Sequence, residues 1–261
     1  MKQPTREGLS EHLLDEIVSG RLAPGTKLSP ERVLAHEFGL SRPVVREVLR
    51  GLQEKGLVDI LPARGTFVRE PSTIDGARSL ESYYRRRNAT AREVMESRLM
   101  TETHTARLAA ARATAADVEV LQRCLTDCET ADNVIDRARY DIAFHGLLAR
   151  ASHNTVIETM FGSIASLTFE LMLRSHADPQ VMSQGLPYHR SILEAVQAGD
   201  PDRAERAMRD HLGLAGTLYG DDYDRSVEHV ARREFQRFLR GPMTLEGLLD
   251  EVVRRFDAAT D

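Results

Sequence analysis

Between Ser29 and Leu52 the chain spells two short helices with a forced break between them. Ser29-Pro30-Glu31-Arg32 opens the first, and Phe38-Gly39-Leu40 ends it. Ser41-Arg42-Pro43 opens the second, which carries Val44, Val45, Val48, Leu49 and Leu52. A hydroxyl with a proline one or two places on pre-sets a first helical turn, so each serine is expected to cap its helix. The apolar residues of the second run make one stripe, while Arg46 and Arg50 fall off it and Arg42 sits at its start. A helix buried along one side and offering arginines at its N-terminal end can enter a DNA major groove, where guanidinium forks match guanine edges and phosphates.

The flanking sequence completes a small domain around that pair. Leu9, Leu13, Leu14, Ile17 and Val18 keep helical spacing up to a stop at Gly20, and Pro24-Gly25 marks a loop. Gly56 ends the second helix of the pair. Leu57 to Leu61 and Thr66 to Val68 then read as two strands around Pro62-Ala63-Arg64-Gly65, a hairpin wing. Residues 1–72 are therefore expected to form a winged helix-turn-helix domain.

Charge limits how such a domain works. The chain as a whole is at −5, but residues 1–70 hold 11 Lys/Arg against 10 Asp/Glu and residues 71–261 are at −6. Neither part is basic enough for binding by bulk charge, which leaves a compact patch touching a few phosphates.

Residues 73–90 read as a linker passing into helix, and the Arg85-Arg86-Arg87 run within it as a solvated cluster. Beyond it the pattern is helix after helix, over 91–112, 115–130, 134–151, 155–174, 184–198, 201–219, 222–239 and 244–257. Thr114 and Asn154 stand at N-cap positions, and Asp178-Pro179, Gly199-Asp200-Pro201, Gly220-Asp221 and Gly241-Pro242 read as stops. The fold expected is mainly α: the winged domain, then an all-helical bundle over 91–220 large enough to hold a pocket, then a helical extension over 221–261. In that extension Leu245, Leu248, Leu249, Val252, Val253 and Phe256 form an apolar stripe. No apolar run approaches the roughly 20 residues that span a bilayer and the N-terminus is polar, so the chain is expected in the cytoplasm with no membrane partner. Cys124 and Cys128, one helical turn apart, read as reduced packing residues.

Within the bundle, Asp141 and His145 share one helical face, and His189 and His211 lie on two further helices. A carboxylate and three imidazoles from three helices suit a divalent transition metal with positions left open for water or a ligand. Spacing alone does not decide, because the chain has nine histidines, and His104, His153 and His176 fall near the same helices. Arg98, amid Val94, Met95, Leu99 and Met100, needs an anionic partner if it faces a bundle interior. That partner is either a bound carboxylate or Glu102, four residues on.

Two stretches resemble known families. Leu28 to Arg32, Gly39 to Leu49, Leu52 to Val58 and Arg64-Gly65-Thr66-Phe67-Val68 resemble the DNA-binding domain of the GntR superfamily of bacterial transcription regulators. The resemblance implies that Arg32, Arg42 and Arg46 touch DNA, with Ser41 on a phosphate and the Arg64-Gly65 tip near the minor groove. The chain departs from the family pattern at Ser29-Pro30 and at Pro43, where a threonine hydroxyl is usual; Pro43-Val44 is thus where operator preference is expected to differ from its relatives. Glu93 to Arg98 with Glu102, Asp141 to His145 with Ala151 to Asn154, His189 to Leu193, and Met208 to Leu212 resemble the FCD effector domain of the FadR subfamily. That resemblance implies a metal held by Asp141, His145, His189 and His211, and an effector carboxylate held by Arg98. Zinc is the metal expected, with nickel and manganese as alternatives.

The function expected is a homodimeric, DNA-binding transcription regulator, a repressor by resemblance, reading a palindromic operator and released by a small organic acid at the metal-containing pocket. Two alternatives stand beside it: a regulator for which the ion itself is the signal, and a metal-dependent hydrolase. The hydrolase leaves the DNA-reading module unexplained, and no general base stands out beyond the ligands, so the chain is expected not to be an enzyme.

Overall fold

Helix α1 (Arg6–Val18) starts where the Thr5 side chain accepts from the Gly8 amide, and it buries Leu9 and Leu13. The computed structural model of the chain describes residues 5–71 and 73–238. Two compact units divide it, Met1–Asp75 and Gly76–Asp261.

In the first unit α2 (Glu31–Glu37) and α3 (Arg42–Glu54) follow α1, then strands β1 (Val58–Leu61) and β2 (Gly65–Val68) pair antiparallel with Leu61 opposite Gly65. Gly39, at φ +60°, makes the turn between α2 and α3 in a backbone region where a Cβ is costly. Val45, Val48, Leu49 and Leu52 bury the inner stripe of α3 against Leu9, Leu13, Leu28, Leu34, Val58 and Val68. This is the winged helix-turn-helix expected, with two local differences. Pro30, not Ser29, occupies the N-cap position of α2, and Ser41, at the N-cap of α3, makes no side-chain capping bond. Proline at the start of α2 and at the second position of α3 supplies pre-set backbone angles, so neither helix depends on a hydroxyl cap.

The second unit is a helical bundle. Helix α4 (Thr73–Arg86) occupies most of the segment expected to be a linker. Its basic run is not all solvated: Arg85 is half-buried and reaches Glu81, Ser166 and the buried Glu170. A guanidinium taken out of water needs such partners, and two of them, Ser166 and Glu170, lie 81 and 85 residues away, beyond what local pattern reveals. There follow α5 (Ala91–Arg112), α6 (Ala115–Thr130), α7 (Val134–Ala151), α8 (Thr155–His176), α9 (Pro179–Gln197), α10 (Pro201–Leu218), a short 3₁₀ turn at Gly220–Asp222, and α11 (Val227–Phe238). Helix α5 packs on α7 and α10, α9 on α10, α6 and α8 on α7, and α11 on α8.

Helix α9 begins at Pro179, five residues before the expected start. Proline is tolerated in the first turn, where its missing N–H would have no partner, so Asp178-Pro179 opens a helix instead of only ending one. The expected helix over 222–239 is replaced by the 3₁₀ turn and the shorter α11, because Asp222 turns inward onto Arg174 and Arg233. The expected helix over 244–257 and its stripe lie outside the described residues.

Helix α8 is long and apolar enough to cross a membrane, with a mean hydropathy of 1.4. This corrects the expectation that no such run exists. It is the spine of the bundle, 56% of that window being buried, with Phe161, Leu167, Phe169, Leu171 and Leu173 in the core. Cys124 and Cys128 are buried and unbridged, and burial pushes both thiols up, which makes them inert packing groups.

Thr114 and Asp117 form a reciprocal capping box at the head of α6, and Asn154 caps α8. Thr114→Ala removes one half of the box and is expected to cost about 1 kcal/mol. In a domain of this size that lowers the melting temperature by about 2–4 °C; a thermal melt indistinguishable from wild type would show that the box contributes nothing.

Candidate metal centre and nucleic-acid interface

Four side chains from three helices meet in one cluster. Asp141 and His145, one turn apart on α7, meet His189 from the middle of α9 and His211 from α10, and one ligand atom from each lies within 4.8 Å of all the others. Asp141, His145 and His189 are buried, and the His211 Nδ1 is shielded from solvent. The His189 and His211 rings are 4.3 Å apart between centroids, with His145 at 5.6 and 5.3 Å from them. Phe144 closes one side, edge-on to both His145 and His189.

Donor chemistry and spacing both fit a divalent transition metal. With metal–ligand bonds of about 2.0–2.2 Å, donor atoms lie roughly 3 to 4.4 Å apart around one ion, so this cluster needs only slight contraction. The Nδ1 atoms of His189 and His211 are buried without a hydrogen-bond partner among the described residues. Orphaned buried nitrogens are costly, and an ion would satisfy them. Burial pushes the Asp141 carboxyl up, but the charge of His189 and hydrogen bonds from His145, His176 and His189 overcome it and hold the group ionised, well below the usual carboxylate range. His211 is pushed well below the usual imidazole range, by burial first and then by the neighbouring His189 and His145. It is therefore neutral, as a ligand must be.

Two further residues belong to this cluster. His176, in the last turn of α8, places Nε2 2.8 Å from Asp141 Oδ2, while His189 Nε2 and His145 Nε2 lie 2.9 and 3.3 Å from Oδ1. His176 thus holds the carboxylate oxygen turned away from the other imidazoles. Nothing in its local sequence distinguishes it from His104, which is exposed, or from His153, which pairs with Asp117 at 3.0 Å. Glu102, on α5, contacts His145 Nδ1 and also takes Arg98: Nε to Oε1 is 2.6 Å and Nη2 to Oε2 is 3.5 Å. Of the two partners sequence allowed Arg98, the structure provides Glu102; Nη1 meets the Met95 sulfur at 3.9 Å. Both Arg98 and Glu102 are only 3% exposed.

On the winged unit, Arg32, Ser41, Arg42, Pro43 and Arg46 are all exposed at the adjoining starts of α2 and α3. Arg46 is not free. Its Nε and Nη2 make a two-pronged pair with Glu31 at 2.9 and 2.7 Å, and Arg42 Nη2 is 3.8 Å from the same carboxylate. Glu31 is held below the usual carboxylate range chiefly by that hydrogen bonding. Arg64 is exposed in the three-residue loop of the wing, and Gly65, at φ +114°, leaves room for Lys27: a Cβ there would stand 2.8 Å from the Lys27 Cε.

Comparison with known proteins gives matches over both units. Residues 5–68 match the model of bacterial regulatory proteins of the gntR family, and residues 93–214 match the FCD domain. The chain is 32% identical over 219 residues to the HTH-type transcriptional regulator LutR of Bacillus subtilis, covering 81% of this chain and all of that protein. It is also 32% identical over 202 residues to the galactonate operon transcriptional repressor of Escherichia coli, covering 74% and 86% of the two chains. The solved structure of a Streptococcus agalactiae GntR protein superposes with a TM-score of 0.65 at 24% identity, over 82% of this chain and all of that one, a likeness of fold.

Proposed function

Because the chain belongs to the GntR family of bacterial transcription regulators, in its FadR subfamily with an FCD domain, we propose that it is a homodimeric repressor released from DNA by a small carboxylate bound beside a zinc ion. It is a DNA-binding regulator, not an enzyme. The observation that carries the finer reading is the pairing, in one buried site, of an Asp/His cluster with an arginine.

Zinc, held by Asp141, His145, His189 and His211, supplies a Lewis-acidic docking point for a carboxylate oxygen. Arg98 supplies the complementary fork, since its guanidinium carries five donors and Glu102 engages two of its nitrogens. Such an arrangement favours small anions, because a bound cation and the Arg98 hydrogens that Glu102 does not take both attract negative charge. The galactonate operon repressor is named for an operon of a sugar acid, which agrees with carboxylate chemistry.

On DNA, Arg42 and Arg46 read base edges from the start of α3, Arg32 and Ser41 hold phosphates, and the Arg64-Gly65 tip lies near the minor groove. Pro43 contributes shape but no hydroxyl. Two copies of the winged unit on a palindrome account for a two-fold operator. An effector that binds the DNA-incompetent arrangement more tightly must lower operator affinity, and the operator must lower effector affinity by the same factor.

The test starts with an operator selected from random duplexes by the zinc-loaded protein. Titrating a panel of simple and hydroxylated carboxylates, D-galactonate among them, at fixed zinc is expected to find at least one that weakens operator binding about 5- to 150-fold. No response to any carboxylate, together with a response to zinc alone, would transfer the signal to the ion and reject the effector.

A further inference from the structure

Among the described residues Glu102 is the one carboxylate that touches both halves of the proposed site, and it comes from α5, a helix that contributes none of the four ligands. On one side Oε1 binds Arg98 Nε at 2.6 Å. On the other, Oε2 contacts Nδ1 of His145, whose opposite nitrogen, Nε2, points to Asp141 Oδ1 at 3.3 Å. We propose that Glu102 is the positioning residue of the metal centre: it fixes the ring of His145 so that Nε2 presents its lone pair to the ion. This rests on the zinc reading above.

The physical reason is the division of labour between imidazole nitrogens. When a carboxylate accepts the proton of one nitrogen, the tautomer and ring angle are set and the other nitrogen becomes a better donor to metal. His145 needs such a guide. Its ring is fully buried and edge-on to Phe144, an aromatic neighbour that offers no acceptor to Nδ1. Glu102 is equally buried, so its charge acts at close range with little screening. The competing reading is that Glu102 merely neutralises Arg98, one turn away on the same helix.

Chelator competition with Zn²⁺ on the full-length chain separates these readings. Glu102→Gln keeps the shape and removes the charge, and is expected to lower zinc affinity about tenfold or more. It should also shift the visible absorption of the Co²⁺-substituted protein, which reports ligand geometry. The double variant Arg98→Met/Glu102→Gln removes both charges and leaves no unpaired guanidinium in the interior, so it carries the test where the single variant misfolds. It is expected to remain as weak for zinc as Glu102→Gln, with the same cobalt spectrum. Wild-type zinc affinity in Glu102→Gln, or recovery of it in the double variant, would overturn the positioning role while leaving the metal centre standing. A wild-type protein that binds no zinc would overturn the metal reading and this inference with it.

Discussion

Arg46→Ala is expected to weaken binding to the selected operator by about ten- to a hundredfold, and to relax preference at one base position in each half-site. The arginine starts from a two-pronged pair with Glu31, so the operator must offer more than that carboxylate does. A bidentate guanine edge beside phosphates meets the requirement, because the same fork geometry finds two acceptors in a field of negative charge. Arg42 shares Glu31 at a longer distance, and Arg42→Ala is expected to fall in the same range. Binding measured by fluorescence anisotropy at several salt concentrations distinguishes the roles. Loss of specificity marks base reading, while a uniform loss with a smaller salt slope marks a phosphate contact. Unchanged affinity at moderate salt would remove Arg46 from the reading surface.

His145→Ala is expected to lower zinc affinity by more than the roughly 10- to 100-fold that the loss of an outer partner costs, and with it the response to carboxylate. His145 contacts Asp141 on one ring nitrogen and Glu102 on the other, so its removal strips one proposed ligand and leaves two buried carboxylates short of a partner. His189→Ala removes a proposed ligand that does not contact Glu102, and is expected to lower zinc content while the chain stays folded. Elemental analysis of the purified variants, beside their melting temperatures, reads both quantities. Full zinc content in His189→Ala would exclude that residue as a ligand.

Much of this architecture is legible in the chain because its signals are local. Thr114 with Asp117 and Asn154 ahead of Val156 mark where α6 and α8 begin, and the apolar stripe of α3 separates its buried side from its arginines. The i, i+4 spacing of Asp141 and His145 puts both on one face of α7, and His189 and His211, named from the family resemblance, come to them from α9 and α10. What escapes the sequence depends on distant partners. Arg85 looks like part of a solvated basic run until Glu170, on α8, is brought beside it. His176 resembles any histidine at a helix end until it meets Asp141, 35 residues away. The early start of α9 fails for another reason: proline both ends and begins helices, and Asp178-Pro179 is compatible with either.

The link between the buried site and DNA is tested most directly by calorimetric titration of the active carboxylate into three samples: zinc-loaded protein, zinc-stripped protein, and the zinc-loaded protein on its operator. The account predicts strong binding to the first and little to the second. It predicts binding to the third weakened by the same factor as that by which the carboxylate weakens operator binding. Equal carboxylate affinity with and without zinc, or an affinity indifferent to the operator, would contradict it.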